Sequence, residues 1–262
     1  MTSPRGGQPT TSFDVPAAAY QRFMGRYSEP LAAQFVELLD LADGQSAIDI
    51  GAGPGAVTVP LVERLGVDAV VAIDPSTSFV TALRERIAGL DAREASAEAL
   101  PFATDTFDLA VAQLVVQFMT DPVAGLTEMA RVVTPGGVVA ASVWDFAGGR
   151  SPLSVFWSSA RSLDPGILDE SSVPGARSGH LVELFRAAGL SDVRPGESTV
   201  SVSYADVDEW WSAFTPGVGP AGKYLERLDA RSRLALREEC ASRFPVGPVT
   251  VEATAWTAVG TV

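Results

Sequence analysis

The sequence predicts an α/β fold: a seven-stranded, mostly parallel sheet with helices on both faces and an antiparallel last strand. Three observations carry that prediction. Short apolar runs alternate with segments whose apolar residues recur at helical spacing. The runs are apolar on consecutive residues, so both of their faces are expected to be buried. The final segment, VTVEATAWTAV, instead alternates apolar and polar residues. Parallel strands covered by helices read as continuous apolar runs, whereas antiparallel strands tend to alternate.

The elements follow in order. Residues 14–42 read as helical, with Leu31, Phe35, Leu38 and Leu39 at helical spacing and Pro30 suited to a helix start. Ser46–Ile50 is a strand that runs into Gly-Ala-Gly-Pro-Gly. Val57, Leu61 and Leu65 make one helix face, with Pro60 tolerable in its first turn. Ala69–Ile73 is a second strand ending at Asp74-Pro75, and Phe79, Leu83 and Ile87 form the next helix face. Phe107–Ala112 is a strand, followed by a helix bearing Leu126, Met129 and Val133, a turn at 134–137 and a strand over Val138–Val143. Leu153, Phe156, Trp157, Ala160 and Leu163 share one side of a helix. Leu181, Leu184, Phe185 and Ala188 share another, stopped by Gly189. Val200–Tyr204 alternates and is expected to form a hairpin with the last strand at an antiparallel sheet edge. Segments 145–178 and 205–247 are insertions after strands 5 and 6, placed to act as lids. Residues 1–12 read as a disordered tail and 13–262 as a single domain.

Composition narrows the chemistry. The chain has 262 residues, 32 acidic against 19 basic, for a net charge of -13, and its 47% apolar content suffices for a full core. It holds one Cys (Cys240), one His (His180) and one Lys (Lys223). A disulfide framework and a zinc site with two or more His ligands are excluded, no metal is expected, and a reducing cytoplasm is the expected compartment. A strongly acidic chain with no basic run repels a polyanion, so nucleic acid is not an expected partner. Apolar stretches of about 5–8 residues fall far short of a membrane span, and no secretion signal is visible.

The informative segment is IDIGAGPGAVTV, residues 48–59. Gly51, Gly53 and Gly55 alternate between a strand and a helix, where glycine permits a sharp turn and close approach of a ligand. The spacing is GxGxG, not the GxGxxG of dinucleotide folds, in which a helix N-terminus is aimed at a pyrophosphate. Asp49 would oppose that anion but suits a ligand carrying an ammonium group. Asp74, at the end of the second strand, can accept both hydroxyls of a ribose, a property NAD sites share with other adenosine sites. A plain strand-to-helix turn and a helix cap are the alternative readings of these two features.

Four motifs in order, IDIGAGPGAV, VVAIDPS, ASAEALPFATDTFDLAVAQ and EMARVVTPGGVVAAS, carry a resemblance over about residues 20–145. The chain resembles the Rossmann-like (class I) S-adenosylmethionine-dependent methyltransferases, most of all the small-molecule branch that includes ubiquinone/menaquinone-biosynthesis C-methyltransferases. The resemblance implies S-adenosyl-L-methionine as cofactor, leaving as S-adenosyl-L-homocysteine. It places Gly51, Ala52 and Gly53, below Asp49, against the methionine part. It gives the ribose hydroxyls to Asp74 and the adenosine border to Pro75 and Ser76. Ser96-Ala97-Glu98 stands where relatives commonly carry Asp-Ala-Glu, so Ser96 replaces an Asp that contacts adenine. Gln113 would lie beside the sulfonium or the aminoacyl chain, and Tyr20, Arg26 and Tyr27 could close over the cofactor.

The implied reaction methylates O, N or C of a small, apolar or aromatic metabolite. In-line displacement of a good leaving group needs mainly positioning, which can supply roughly 7–11 kcal/mol. A general base is needed only where the nucleophile must lose a proton. His180 is the candidate base, with a helix-capping role as the other reading. Tyr20, Gln117, Trp144, Trp157, Trp210 and Trp211 are candidate substrate contacts, the aromatics as lid and pocket or as ordinary core. Two other classes stay open: a methyltransferase-like fold acting as a cyclase or binding protein, and an NAD-dependent oxidoreductase. Oligomeric state is open.

Overall fold

A computed structural model describes residues 17–262, so the expected tail at 1–12 lies outside the described residues. Seven strands form one sheet: β1 (Ala47–Ile50), β2 (Val70–Asp74), β3 (Asp91–Glu94), β4 (Phe107–Gln113), β5 (Val133–Trp144), β6 (Ser191–Tyr204) and β7 (Val249–Thr261). Their spatial order is β3-β2-β1-β4-β5-β7-β6. The first five are parallel, and β7 runs antiparallel to both β5 and β6. The mostly parallel sheet and the reversed last strand are as expected.

Two details differ from the expectation. The hairpin of β6 with β7 forms, but β7 lies inside the sheet and β6 takes the edge. The reason is apolar content: Val249, Ala253, Ala255 and Ala258 of β7 are almost wholly buried. The first half of β6 is exposed and carries Pro195, which cannot serve a central ladder. The expected turn at 134–137 is instead a bulge within β5. Val133 pairs with Phe107 and Val138 with Leu109, and the looped-out Gly136 and Gly137 bond backbone to backbone with Val262.

Helices cover both faces. α1 (Ala17–Tyr20) passes through one wide turn at Gln21–Gly25 into α2 (Arg26–Glu37). Pro30 therefore lies inside a helix and does not start one, because the apolar face already begins at Phe23 and Met24. α3 (Thr58–Leu65) and α4 (Thr77–Arg86) join α2 on one face, where Phe35, Leu61 and Leu83 pack on Ala47, Val70 and Val111. α5 (Pro122–Val132) starts at Asp121, whose carboxylate accepts the Val123 and Ala124 N–H groups, with Pro122 at the first helical position. Leu126 and Met129 of α5 and Phe185 of α7 (His180–Ala187) pack on the other face with Ile48, Ile50 and Ala112. Val133 has already left the helix for β5.

The first insertion holds α6 (Ser154–Leu163), on which Phe156, Trp157 and Ala160 are buried while Leu163 is exposed, and a single turn at Glu170–Ser172. The second holds α8 (Val207–Ser212), α9 (Gly219–Arg227) and α10 (Ala230–Ala241). The insertions meet: Phe156 stacks on Phe214 at 4.8 Å, and Arg243 donates to Ser158 and Ser162. No helix among the described residues is long and apolar enough to cross a membrane.

Candidate functional site

Strand order locates the site. From β1 the chain moves outward to β2 and β3, then returns to place β4 on the other side of β1, so the loops after β1 and β4 diverge and leave a crevice at their carboxyl ends. Gly51 follows β1 with a φ of +66°, and a Cβ there would stand 2.5 Å from Val115 beyond β4. Glycine is required on both counts. Gly53 also has positive φ, but a Cβ on it would meet nothing within 4 Å, so this part of the loop opens toward free space.

Two buried acids line the crevice. Asp49, in β1, is 1% exposed and accepts the Thr58 hydroxyl proton at 2.6 Å. Burial pushes its carboxyl up to about 7, against the opposing effect of Thr58 and with a further push from Asp74. Asp74, at the end of β2, accepts the Gly53 N–H on one oxygen and the Ser76 N–H on the other, each at 2.8 Å. It thereby clamps the glycine loop to the start of α4. Burial raises it to about 6, with those two donors holding it down. Among the described residues neither carboxyl pairs with a basic side chain. These two acidic acceptors fit a ligand that brings positive charge and hydroxyl groups, and they oppose one that brings a pyrophosphate.

The remaining expected cofactor residues gather at the same strand ends. Pro75 and Ser96 are exposed and Ser76 is half-buried, with its hydroxyl 2.8 Å from that of Ser78. Ala52 is buried beside β2, its N–H bonded to the Ile73 carbonyl. Ala97 is buried in the core, and Glu98 accepts the Thr120 N–H at 2.7 Å, which ties together the loops after β3 and β4. Gln113 donates to the Ser28 carbonyl at 2.9 Å, leaving its buried side-chain oxygen without a partner. Tyr27 is 2% exposed. Its hydroxyl accepts from Tyr204 and its ring packs edge-on to Trp144, so it braces β5 and β6. Arg26 points the same way, donating to Glu209 and the Ser203 carbonyl.

A small cavity of about 30 Å³ adjoins the crevice, walled by Tyr20, Phe23, Trp144 and Phe146 and by the polar groups of Gln117 and Glu170. Tyr20 links the two regions: its ring packs on Phe79 of α4, and both burial and the nearby Asp74 raise its hydroxyl pKa. Leu114 also lines the cavity in a left-handed conformation with φ +61°, a sparsely populated state for a residue other than glycine. Gln117 donates to the Leu114 carbonyl at 2.8 Å and so props that turn.

Of the tryptophans proposed as substrate contacts, only Trp144 lines this cavity. Trp157 stands behind it, donating its indole N–H to Glu170 at 2.8 Å. Trp210 packs between Phe214 and Phe244, and Trp211 stacks on Phe156, so both are core of the joined insertions and not cavity wall. His180 begins α7, where its Nδ1 accepts the Gly175 N–H at 3.2 Å; it closes a loop and does not line the cavity. Glu170 was not foreseen. Its local sequence, LDESSVPG, reads as a polar loop, and nothing in it signals that Trp157, thirteen residues earlier, draws the carboxyl inside. Among the described residues no group of three or more His, Cys, Asp and Glu could hold a metal ion.

Residues 48–141 match the family model of the methyltransferase domain, which spans the glycine loop, both acids and β4. A rice chloroplast 2-methyl-6-phytyl-1,4-hydroquinone methyltransferase 2 is 31% identical over 173 residues, covering 65% of this chain and 46% of the relative. The ubiquinone/menaquinone biosynthesis C-methyltransferase of Stenotrophomonas maltophilia is 34% identical over 110 residues, 39% of this chain and 44% of the relative. The chain thus spans about half the length of the curated relatives it matches. Among solved structures, Haemonchus contortus phosphoethanolamine N-methyltransferase 2 in complex with S-adenosyl-L-methionine shares the fold, with a TM-score of 0.59 at 15% identity, covering 96% of this chain and 58% of that one. The resemblance read from the four motifs holds.

Proposed function

We propose that this chain transfers a methyl group from S-adenosyl-L-methionine to a small, apolar or aromatic metabolite, leaving S-adenosyl-L-homocysteine. The observation that carries the reading is the pair of buried acids, Asp49 and Asp74, set around a glycine loop with no basic partner among the described residues. When bound, the cofactor supplies an electrophilic methyl carbon on a sulfonium, with a neutral thioether as leaving group.

This chain's residues bind, orient and exclude water. Asp49 with Gly51, Ala52 and Gly53 would hold the aminoacyl part, and Asp74 the ribose hydroxyls. Pro75, Ser76, Ser96 and Ala97 would border the adenosine. Gln113 would offer its unpartnered oxygen to the ammonium end. Glu98 is assigned a supporting place, since its carboxylate already holds Thr120. Tyr20, Phe23, Trp144 and Phe146 would seal the neighbouring cavity, so the nucleophile meets the methyl carbon in a dry, aligned setting. No proton step is assigned to His180. A cytoplasmic location belongs to the same reading and rests on the single, buried Cys240.

Calorimetry against S-adenosylhomocysteine, S-adenosylmethionine and NAD tests cofactor choice, and methyl-labelled cofactor with a panel of phenols, quinols and amines tests transfer. Binding of the first two and labelled product are expected. Binding of NAD with neither adenosyl ligand would overturn the reading. Tight cofactor binding without product across the panel would move the chain to the non-transferring class.

A further inference from the structure

An open pocket of about 290 Å³ lies between α6, the loop after β5 and the segment that follows α10, at the low end of the size range for small-molecule sites. It shares a wall with the small cavity beside the crevice, and Phe146 lines both. On the turn after α6, Asp169 and Ser171 line the outer pocket while Glu170 between them lines the inner cavity. Trp157 lines the outer pocket and donates to Glu170, whose carboxyl is raised by burial to about 7.

The outer pocket is polarised along α6. Ser154, Ser158 and Arg161 follow at i, i+4 and i+7, so the helix gives it one stripe roughly 10 Å long. Phe146 and Val155 supply an apolar end next to the inner cavity. Arg161 and Arg243 supply a cationic end, with Arg243 reaching α6 to donate to Ser158 and Ser162. Both guanidinium side chains are accessible, 45% and 34% exposed. Asp169 pairs with Arg161, but its side chain is only 9% exposed and already accepts the Ser171 N–H and hydroxyl. Glu239 pairs with Arg243 from outside the lining. Two arginines against one aspartate leave the wall with a net charge of +1, in a chain of net charge -13.

We infer that this pocket binds a small monocarboxylic acid with an apolar or aromatic body, the carboxylate lying with Arg161 and Arg243 and the body toward Phe146. A planar carboxylate matches the arginine fork. A wall of charge +1 suits one negative charge better than the nearly two of a phosphate monoester. The shared wall makes the acid the outer end of the methyl acceptor. That role rests on the proposed function; the binding itself does not.

The test titrates 4-phenylbutyrate and its neutral isostere 4-phenylbutanamide into the full chain by calorimetry at neutral pH, with and without saturating S-adenosylhomocysteine. The acid is expected to bind at least about tenfold more tightly, the worth of a hydrogen bond to a charged group. Arg243→Gln and Arg161→Gln are each expected to remove most of that preference and to leave the amide within about twofold; the second serves if the first folds poorly. Ser158→Trp, which fills the middle of the stripe, is expected to weaken both probes at least about tenfold and to leave S-adenosylhomocysteine affinity unchanged. The inference is overturned if wild-type protein binds the acid no more tightly than the amide, including no binding of either. It is also overturned if neither arginine variant weakens the acid, or if Ser158→Trp leaves both probes unchanged. Absence of S-adenosylhomocysteine binding would instead count against the proposed function, because the probes are also read on the protein without it.

Discussion

Replacing Asp49 by Asn isolates the energetic cost of the buried acid. The folded protein holds this carboxyl at about 7, whereas an unperturbed one titrates at 3.8. A group whose pKa is raised by folding contributes stability that is complete below its unfolded pKa and is lost as pH rises through the folded value. Here the loss runs from about pH 4 to about pH 7. The difference is roughly three units, and at 1.36 kcal/mol per unit it amounts to about 4 kcal/mol at most. Asn cannot ionise, yet its side-chain oxygen can still accept from Thr58, so the local hydrogen bond survives. Urea unfolding followed by tryptophan fluorescence at pH 4.5, 6 and 8 reads the difference directly. Wild type should lose stability over that span relative to Asp49→Asn, by up to about 4 kcal/mol, while Asp74 titrates in both proteins and cancels to first order. Because the same substitution removes the proposed countercharge for the cofactor's ammonium, the variant that gains stability at pH 8 should lose affinity for S-adenosylhomocysteine. Parallel pH profiles for the two proteins would refute the claim that Asp49 is held near 7 by burial.

Gly51→Ala should lower stability by about 2 kcal/mol or more, since it combines left-handed strain with a Cβ 2.5 Å from Val115, whereas Gly53→Ala, facing open space, should cost only the strain and act mainly on cofactor affinity; melting temperatures and calorimetry separate the two. Asp74→Asn should weaken cofactor binding by one to two orders of magnitude, because an amide can accept on one side only and turns an N–H toward either Gly53 or Ser76. In wild type the Asp74 carboxyl takes up its proton as pH falls through about 6, so cofactor affinity measured from pH 8 down to 5 should drop below that point by up to tenfold per unit. His180→Gln should leave turnover unchanged in a labelled-methyl assay, since His180 spends its Nδ1 on the Gly175 N–H; a hundredfold loss would restore it as a base.

Much of the fold was legible because its signals are local. The apolar runs at Ala47–Ile50 and Val70–Asp74 and the separate helix faces that carry Leu61 and Leu83 each declare their own element. β3 gives no such signal: Asp-Ala-Arg-Glu is an exposed edge strand with only Ala92 buried, and it exists because β2 offers it a partner. The glycine loop and the acid proposed to hold the cofactor were legible for the same reason as the strands. Gly51, Gly53 and Asp74 are fixed to strand ends by the backbone they sit in, and the chain between them is short.

By itself, then, the sequence determined the parallel sheet, the glycine loop and the two acids beneath it, since each depends on neighbours within a turn or a strand. Tertiary structure alone decided where β7 enters the sheet, which tryptophans face a cavity and which are core, and that Glu170 is inside. Those outcomes depend on contacts between residues far apart in the chain, such as Phe156 with Phe214 and Val143 with Trp256, and no local pattern encodes which of two equally apolar rings will be covered. Burial is a property of the whole packing, and burial gives Asp49, Asp74 and Glu170 their chemistry.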